Sequence, residues 1–268
     1  VVRAVRLGNV VIGAGEMKII VPITPTDQEE AISQAAIASE SGADIVEWRV
    51  DYLHDVSIEA VCHIAAILTT RVKQPILATF RTSAEGGRAI GDDDYVRLLS
   101  ALISTGSIDA IDVEFFRGTD TFTPAKPITE ILEFARERGI PTVASYHDFS
   151  TAPPRAESLA RLGAMADAGA DIAKFACMPQ NALDVAELFV TSAEAAERLA
   201  PPLIMLAMGS IGAVSRAAGH IFGSAATFAM VGESTAPGQM PISELRPVVA
   251  ALEHWSEPAG HKKPRTSA

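Results

Sequence analysis

A lysine stands in the middle of an apolar run, Asp171-Ile172-Ala173-Lys174-Phe175-Ala176-Cys177. The run reads as a buried strand. Burial disfavours the charged form of an amine. A free lysine, with a pKa of about 10.4, is a poor nucleophile at neutral pH, whereas a desolvated one can attack a ketone and form a Schiff base. The other reading of the same segment is a lysine whose ammonium snorkels to water at the strand end. A histidine that could move protons for a Schiff base lies 27 residues earlier, in Ser145-Tyr146-His147-Asp148-Phe149.

These two residues belong to a series. Glu47, Arg81, Glu114, His147, Lys174 and Met208 follow one another at steps of 34, 33, 33, 27 and 34 residues, and Arg49 stands beside Glu47. Each lies in or just after an apolar strand-like run. One polar group per repeating unit, at one place in each unit, forms a ring when the units close on themselves. Such a ring in an apolar interior is costly unless its members are paired or used. Arg49 and Arg81 can pair with Glu47 and Glu114, and each also suits recognition of hydroxyls or carboxylates. A buried ion-pair network that only fixes structure is the competing reading. Two further segments point to ligand binding. The run from Met208 to Arg216 reads as a Gly- and Ser-containing loop opening a helix, a natural place for a carboxylate or phosphate. The small, polar run from Gly232 to Gln239 has the composition of a lid.

Elements that could position such a ring are legible in the pattern. Candidate strands fall at 18–21, 45–49, 76–80, 110–114, 142–146, 172–175, 203–207 and 225–228. Candidate helices fall at 27–41, 57–70, 92–105, 129–138, 155–168, 183–199, 212–220 and 242–255. Gly42, Gly106, Gly139 and Gly169 each follow a helical stretch, where a left-handed cap is expected. Alternating β and α with near-continuous apolar strands means a parallel sheet covered by helices. Eight units in about 250 residues is the size of a (β/α)8 TIM barrel, whose C-terminal face carries the site. An open doubly wound sheet would carry Gly-x-Gly-x-x-Gly after its first strand, and this chain has Pro22-Ile23-Thr24-Pro25 there. Two short apolar runs flanking Gly8-Asn9 predict a β-hairpin that covers the bottom of the barrel. The catalytic barrel is expected over 1–256 and a disordered tail over 257–268.

The chain has 268 residues, 48% of them hydrophobic, and a formal net charge of −11. The acidic balance argues against nucleic acid or an anionic membrane as partner. No apolar run reaches membrane-spanning length and no signal peptide is expected. Cys62 and Cys177 read as core thiols of a reducing, cytoplasmic compartment. Metal binding fits poorly, since His147-Asp148 is the only close His/carboxylate pair at a strand end and no Cys-x-x-Cys occurs.

Taken in order, Glu47-Trp48-Arg49-Val50-Asp51, Thr79-Phe80-Arg81-Thr82, Glu85-Gly86-Gly87, Ser145-Tyr146-His147-Asp148-Phe149, Lys174 with Met178-Pro179, Gly223-Ser224-Ala225-Ala226-Thr227-Phe228 and Ala236-Pro237-Gly238-Gln239 resemble the type I 3-dehydroquinate dehydratases. The resemblance runs from about residue 18 to about residue 255. It implies a TIM barrel without metal or organic cofactor, usually a homodimer, that converts 3-dehydroquinate to 3-dehydroshikimate and water. It implies that Lys174 forms the Schiff base and that His147 is the general acid–base. It gives the small-molecule substrate to Glu47, Arg49, Arg81, Arg216, Thr235 and Gln239, with Arg216 on the carboxylate and Gln239 in the lid. Glu85, Glu114 and Met208 are expected behind them, the two acids orienting His147 or balancing charge near Lys174. Thr235 and Pro22 depart from the serines that some members carry. The alternatives are another Schiff-base barrel such as a class I aldolase, or a non-catalytic metabolite-binding barrel. Glu47, Arg49, Arg81, Arg216 and Gln239, suited to a small polyhydroxylated carboxylate, favour the dehydratase.

Overall fold

The computed structural model describes residues 2–119 and 121–256; the tail expected over 257–268 lies outside them. A two-stranded antiparallel hairpin, β1 (Val5–Leu7) and β2 (Val10–Ile12), precedes eight parallel strands. These are β3 (Lys18–Ile23), β4 (Ile45–Arg49), β5 (Ile76–Thr79), β6 (Ala110–Glu114), β7 (Thr142–Asp148), β8 (Ile172–Cys177), β9 (Leu203–Ala207) and β10 (Ala226–Phe228). Between and after them come α1 (Gln28–Glu40), α2 (Ile58–Arg71), α3 (Asp92–Thr105), α4 (Lys126–Glu137), α5 (Arg155–Asp167), α6 (Ala182–Arg198), α7 (Gly209–Ala218) and α8 (Ile242–Ser256). The sheet order is β10-β3-β4-β5-β6-β7-β8-β9. The circle closes between β9 and the residues entering β10, where Ala225 N–H donates to the Leu203 carbonyl at 2.7 Å. The fold is the expected (β/α)8 barrel.

Local chemistry explains the elements. Asp27 caps α1 by accepting from Glu30 N–H at 3.0 Å, and Asn181 caps α6 by accepting from Leu183 and Asp184 N–H. Three aspartates fill the first turn of α3, where the helix dipole favours negative charge. All four glycines expected after helices have positive φ. Some boundaries differ from the sequence reading. Helix α4 starts at Lys126 rather than 129, because Pro127 falls in its first turn, where the missing N–H costs nothing. Strand β3 runs on through Pro22 to Ile23. Lys18 and Ile20 bond toward β10, so Pro22 faces that side too, beyond the last bonds that β10 makes.

The period of two in a strand sorts side chains into levels inside the barrel. The lowest level is apolar: Ile45, Leu77, Ala110, Val143, Ile172 and Ile204 cluster there with Leu7 and Ile12 of the hairpin, which closes the N-terminal mouth as expected. Two residues further along each strand stand Glu47, Thr79, Asp112, Ser145, Lys174 and Leu206; two further still come Arg49, Arg81, Glu114, His147, Ala176 and Met208. The alternate positions, among them Trp48, Phe80, Val113, Phe115 and Phe175, pack outward against the helices in the larger core. The polar ring is therefore the continuation of an apolar plug toward the C-terminal face.

Candidate active site

Lys174 projects from the centre of β8 into the barrel and is only 4% exposed. Its Nζ lies 3.5 Å from Asp112 Oδ2, 3.8 Å from Glu47 Oε1 and 4.4 Å from the centre of the Phe228 ring. The snorkelling reading is thereby excluded: the amine sits among carboxylates and an aromatic face inside the barrel. Burial drives its pKa below the ordinary lysine value, against the pull of Asp112 and Glu47 and with the help of Arg81 and Arg49. His147 belongs to β7 itself, and its Nδ1 lies 2.7 Å from Glu85 Oε2. Burial, then the nearby Arg81, Lys174 and Arg49 cations, push the imidazole well below its usual value. Burial and the neighbouring Glu114 and Asp112 anions push Glu85 well up, against Arg81 and Lys174. A neutral imidazole carries one ring proton, and wherever Glu85 is ionised the 2.7 Å contact draws that proton to Nδ1. When it rests on Nδ1, Nε2 presents a lone pair to the cavity.

Arg81 ties the ring together. Its Nη1 donates to Ser145 Oγ at 2.9 Å and to Glu85 Oε2 and Glu114 Oε1 at 3.2 Å, while Nη2 donates to Asp112 Oδ1 at 2.9 Å. Burial opposes the cation, but these carboxylates and Glu47 outweigh it and raise its pKa well above the usual value. Glu114 also accepts from Thr82 N–H at 2.7 Å and from Thr82 Oγ at 2.6 Å. Arg49 pairs in parallel with Asp51, at 2.8 and 2.7 Å, not with Glu47. The reason is local: a short 3₁₀ turn over Val50–Tyr52 folds Asp51 back under the guanidinium. Glu47 instead accepts from Thr79 Oγ1 at 2.9 Å.

A cavity opens above Lys174 at the C-terminal face. Glu47, Arg49, Arg81, Glu85, His147, Lys174, Met208, Arg216, Thr235 and Gln239 all line it. That lining suits a small ligand held by a few convergent polar groups. Its mouth is covered by the segment after β10. Arg216, 1% exposed, donates from Nε to the Gly238 carbonyl at 2.9 Å and from Nη2 to the Pro237 carbonyl at 3.1 Å. Gly209 N–H donates to the Pro237 carbonyl at 3.2 Å. Gly238 makes this contact possible: a Cβ there would stand 2.2 Å from the Gly209 carbonyl oxygen. Gln239 closes on Thr235, accepting from its N–H at 2.8 Å and donating to its Oγ1 at 3.0 Å.

Known proteins match this arrangement. The family model for type I 3-dehydroquinase fits residues 19–255. The chain belongs to the type I 3-dehydroquinase family. It is 40% identical over 254 residues to the 3-dehydroquinate dehydratase of Escherichia coli O9:H4 (strain HS), which covers 93% of this chain and 98% of that protein. A solved type I 3-dehydroquinate dehydratase from Clostridium difficile, with covalent modified comenic acid, superposes with a TM-score of 0.88 at 36% identity, over 95% of this chain and 99% of that one. The 3-dehydroquinate dehydratase of Geobacillus kaustophilus HTA426 gives 0.90 at 34% identity, over 95% and 98%.

Within this type I 3-dehydroquinase barrel, every site residue expected from the sequence except Glu114 lines the one cavity. Glu114 stands behind it, on Arg81 and Thr82. Glu85 and Met208, expected behind the substrate residues, are part of the wall. The run from Gly209 to Ser215 is not a loop but the first turns of α7. Gly212, which resembles a helix start, is a contact glycine: a Cβ there would stand 2.5 Å from the Ala207 backbone, so its absence lets α7 lie against β9. Asp112, Ser145, Thr79, Asp51 and Phe228 are not among the site residues expected from the sequence, although all but Asp112 fall within its motifs. The signal for the first three was present, since each lies two residues before Glu114, His147 or Arg81 and must share its face.

Proposed function

We propose that this chain dehydrates 3-dehydroquinate to 3-dehydroshikimate through a Schiff base on Lys174, with His147 as general acid–base. The observation that carries this reading is a buried amine at the barrel centre sharing one cavity with an imidazole whose Nδ1 is held by Glu85. The neutral amine attacks the ketone carbon, and the carbonyl oxygen leaves as water with one proton from the amine and one from His147, giving a protonated imine and a neutral imidazole. Nε2 of His147 takes a proton from the adjacent carbon, and the C–H electron pair flows into the imine to form an enamine. The enamine then expels the neighbouring hydroxyl, which leaves as water with the proton that His147 returns. Hydrolysis of the imine frees the conjugated ketone and restores Lys174. The acceptor strength of the protonated imine and the acid supplied to a poor leaving group are what the two residues contribute.

The substrate carboxylate belongs to Arg216 in this reading. Three of its five N–H groups face the Gly238, Pro237 and Phe228 carbonyls, which leaves two for the ligand. Glu47, Arg49 and Arg81 hold ring hydroxyls, and Thr235 and Gln239 close over them. One barrel spanning 1–256, working as a homodimer in the cytoplasm, completes the proposal. Two free thiols support a reducing compartment, and exposed Leu183 and Val190 on α6 with Ile211 and Val214 on the adjoining α7 support self-association. No helix among the described residues is long and apolar enough to cross a membrane.

Intact mass after incubation with 3-dehydroquinate and borohydride tests the chemistry. A reduction-dependent adduct on Lys174 is expected in the native chain, none in Lys174→Ala, and an adduct with stalled turnover in His147→Ala. Substantial turnover by Lys174→Ala removes the covalent mechanism. A native chain with neither adduct nor a conjugated, absorbing product removes the substrate assignment.

A further inference from the structure

Asp112 is fully buried on β6 and is used by nothing in the reaction as written. Its two oxygens live differently. Oδ1 accepts from Arg81 Nη2 at 2.9 Å and from Ser145 Oγ at 2.7 Å. Oδ2 is shielded from solvent and has no hydrogen-bond partner among the described residues. Lys174 Nζ lies at an ion-pair distance of 3.5 Å from it. A buried carboxylate oxygen without a donor is an uncommon and costly feature, and a native structure keeps one where a partner arrives during function.

We infer that Asp112 is the counter-ion of the Schiff base: its free Oδ2 accepts the N–H of Lys174 and of the protonated imine that grows from it. The inference rests on the Schiff-base reading above. Asp112 takes up no proton and forms no covalent bond; it stays anionic throughout. Arg81 and Ser145 fix its other oxygen, so Oδ2 cannot turn away from β8. The resting amine has its N–H groups drawn toward β6, which leaves its lone pair for the cavity and the ketone. Once the nitrogen carries a positive charge in the imine, the same anion holds that charge while the adjacent C–H is broken. Among the described residues Glu47 is the only other carboxylate with an oxygen at ion-pair distance from Nζ, and its Oε1 is 3.8 Å away and already accepts from Thr79.

The charged groups around Nζ are Glu47 and Arg49 on β4, Arg81 after β5, Glu85 in the following turn, Asp112 on β6 and His147 on β7. Asp112 and Glu47 favour the ammonium, whereas Arg81 and Arg49 disfavour it. Removing the Asp112 charge therefore makes the amine easier to deprotonate and the protonated imine harder to keep. Asp112→Asn keeps the shape. Its amide oxygen can replace Oδ1 for Arg81 and Ser145, and its NH2 then stands where Oδ2 was.

The native chain comes first: a borohydride-dependent adduct with 3-dehydroquinate on Lys174 must form, and its absence would remove the Schiff-base reading itself. The pH dependence of Lys174 carbamylation by cyanate, normalised to the exposed Lys73 and read by peptide mass, then compares the two chains without substrate. In Asp112→Asn the midpoint is expected to move down by about one unit or more. The yield of trapped adduct at neutral pH is expected to fall at least about tenfold. A midpoint that stays in place or moves up, with a native circular dichroism spectrum, overturns the assignment. Should Asp112→Asn not fold, Glu47→Gln decides. A shift below about half a unit leaves the anion at Asp112, whereas a full unit gives the role to Glu47 and overturns the proposal.

Discussion

Arg81 and Lys174 are both basic side chains held out of water, and the barrel keeps them by different means. Arg81 is heavily paired: its two Nη nitrogens donate to Glu85, Glu114, Asp112 and Ser145. Its first task is to hold three buried carboxylates in place, whatever it also offers a ligand. Arg81→Met would leave those acids without their cation, at a cost of about 3–5 kcal/mol. Urea unfolding checks this, and a midpoint like that of the native chain would show that the acids find protons or water instead. Lys174 is under-saturated, with ion-pair contacts but no hydrogen bond inside 3.5 Å, and that is the condition of an amine kept ready to react. His147 adds a pH dependence. It acts as a base only when neutral, and burial together with three cations depresses its pKa. Protonation that silences it therefore sets in only below the ordinary histidine value of about 6.5. The acid limb of kcat is expected below that pH; a limb above pH 7 would assign it to another group.

At the scale of elements, the strands supply the chemistry and the segment after β10 controls access to it. Strands are rigid and aim alternate side chains at one interior, so Glu47, Thr79, Asp112, Ser145 and Lys174 converge without any loop having to be ordered. The covering segment is held by backbone contacts: Arg216 to two carbonyls, and Gly238 against Gly209. Gly238 has φ of 78° and no room for a methyl group. Gly238→Ala is expected to keep this segment from docking, raising KM by about tenfold and lowering kcat with it, as disturbed lids do. The melting temperature should hold, because the segment lies outside the main cores. Native steady-state constants in that variant would mean that closure does not depend on this contact.

Across the whole molecule, the barrel separates stability from chemistry along its axis. The N-terminal end is a dry plug in which Leu7 and Ile12 of the hairpin meet one residue from each of several strands. The C-terminal end holds the charged ring. Leu7→Ala is expected to cost about 2–5 kcal/mol of stability. It should leave kcat at 20 °C within about twofold of native, since the apolar level of Ile45, Leu77, Ala110, Val143, Ile172 and Ile204 lies between the substitution and Lys174. Equilibrium unfolding alongside steady-state turnover checks both halves; a large fall in kcat for the folded variant would mean that the plug sets the geometry of the ring.

The sequence by itself determined the number of βα units, the position of one polar group in each and the hairpin. These follow from periodicity and unit length, which act over a few residues at a time. It also carried the family, through motifs kept in order. Only the tertiary structure decided the partners: Arg49 with Asp51 rather than Glu47, Asp112 beside Lys174, Arg216 on the covering segment, Glu114 behind the cavity. Those contacts join residues from different strands or set the curl of a single turn. Their distances depend on the register in which eight strands close into a circle, and no local pattern encodes that closure.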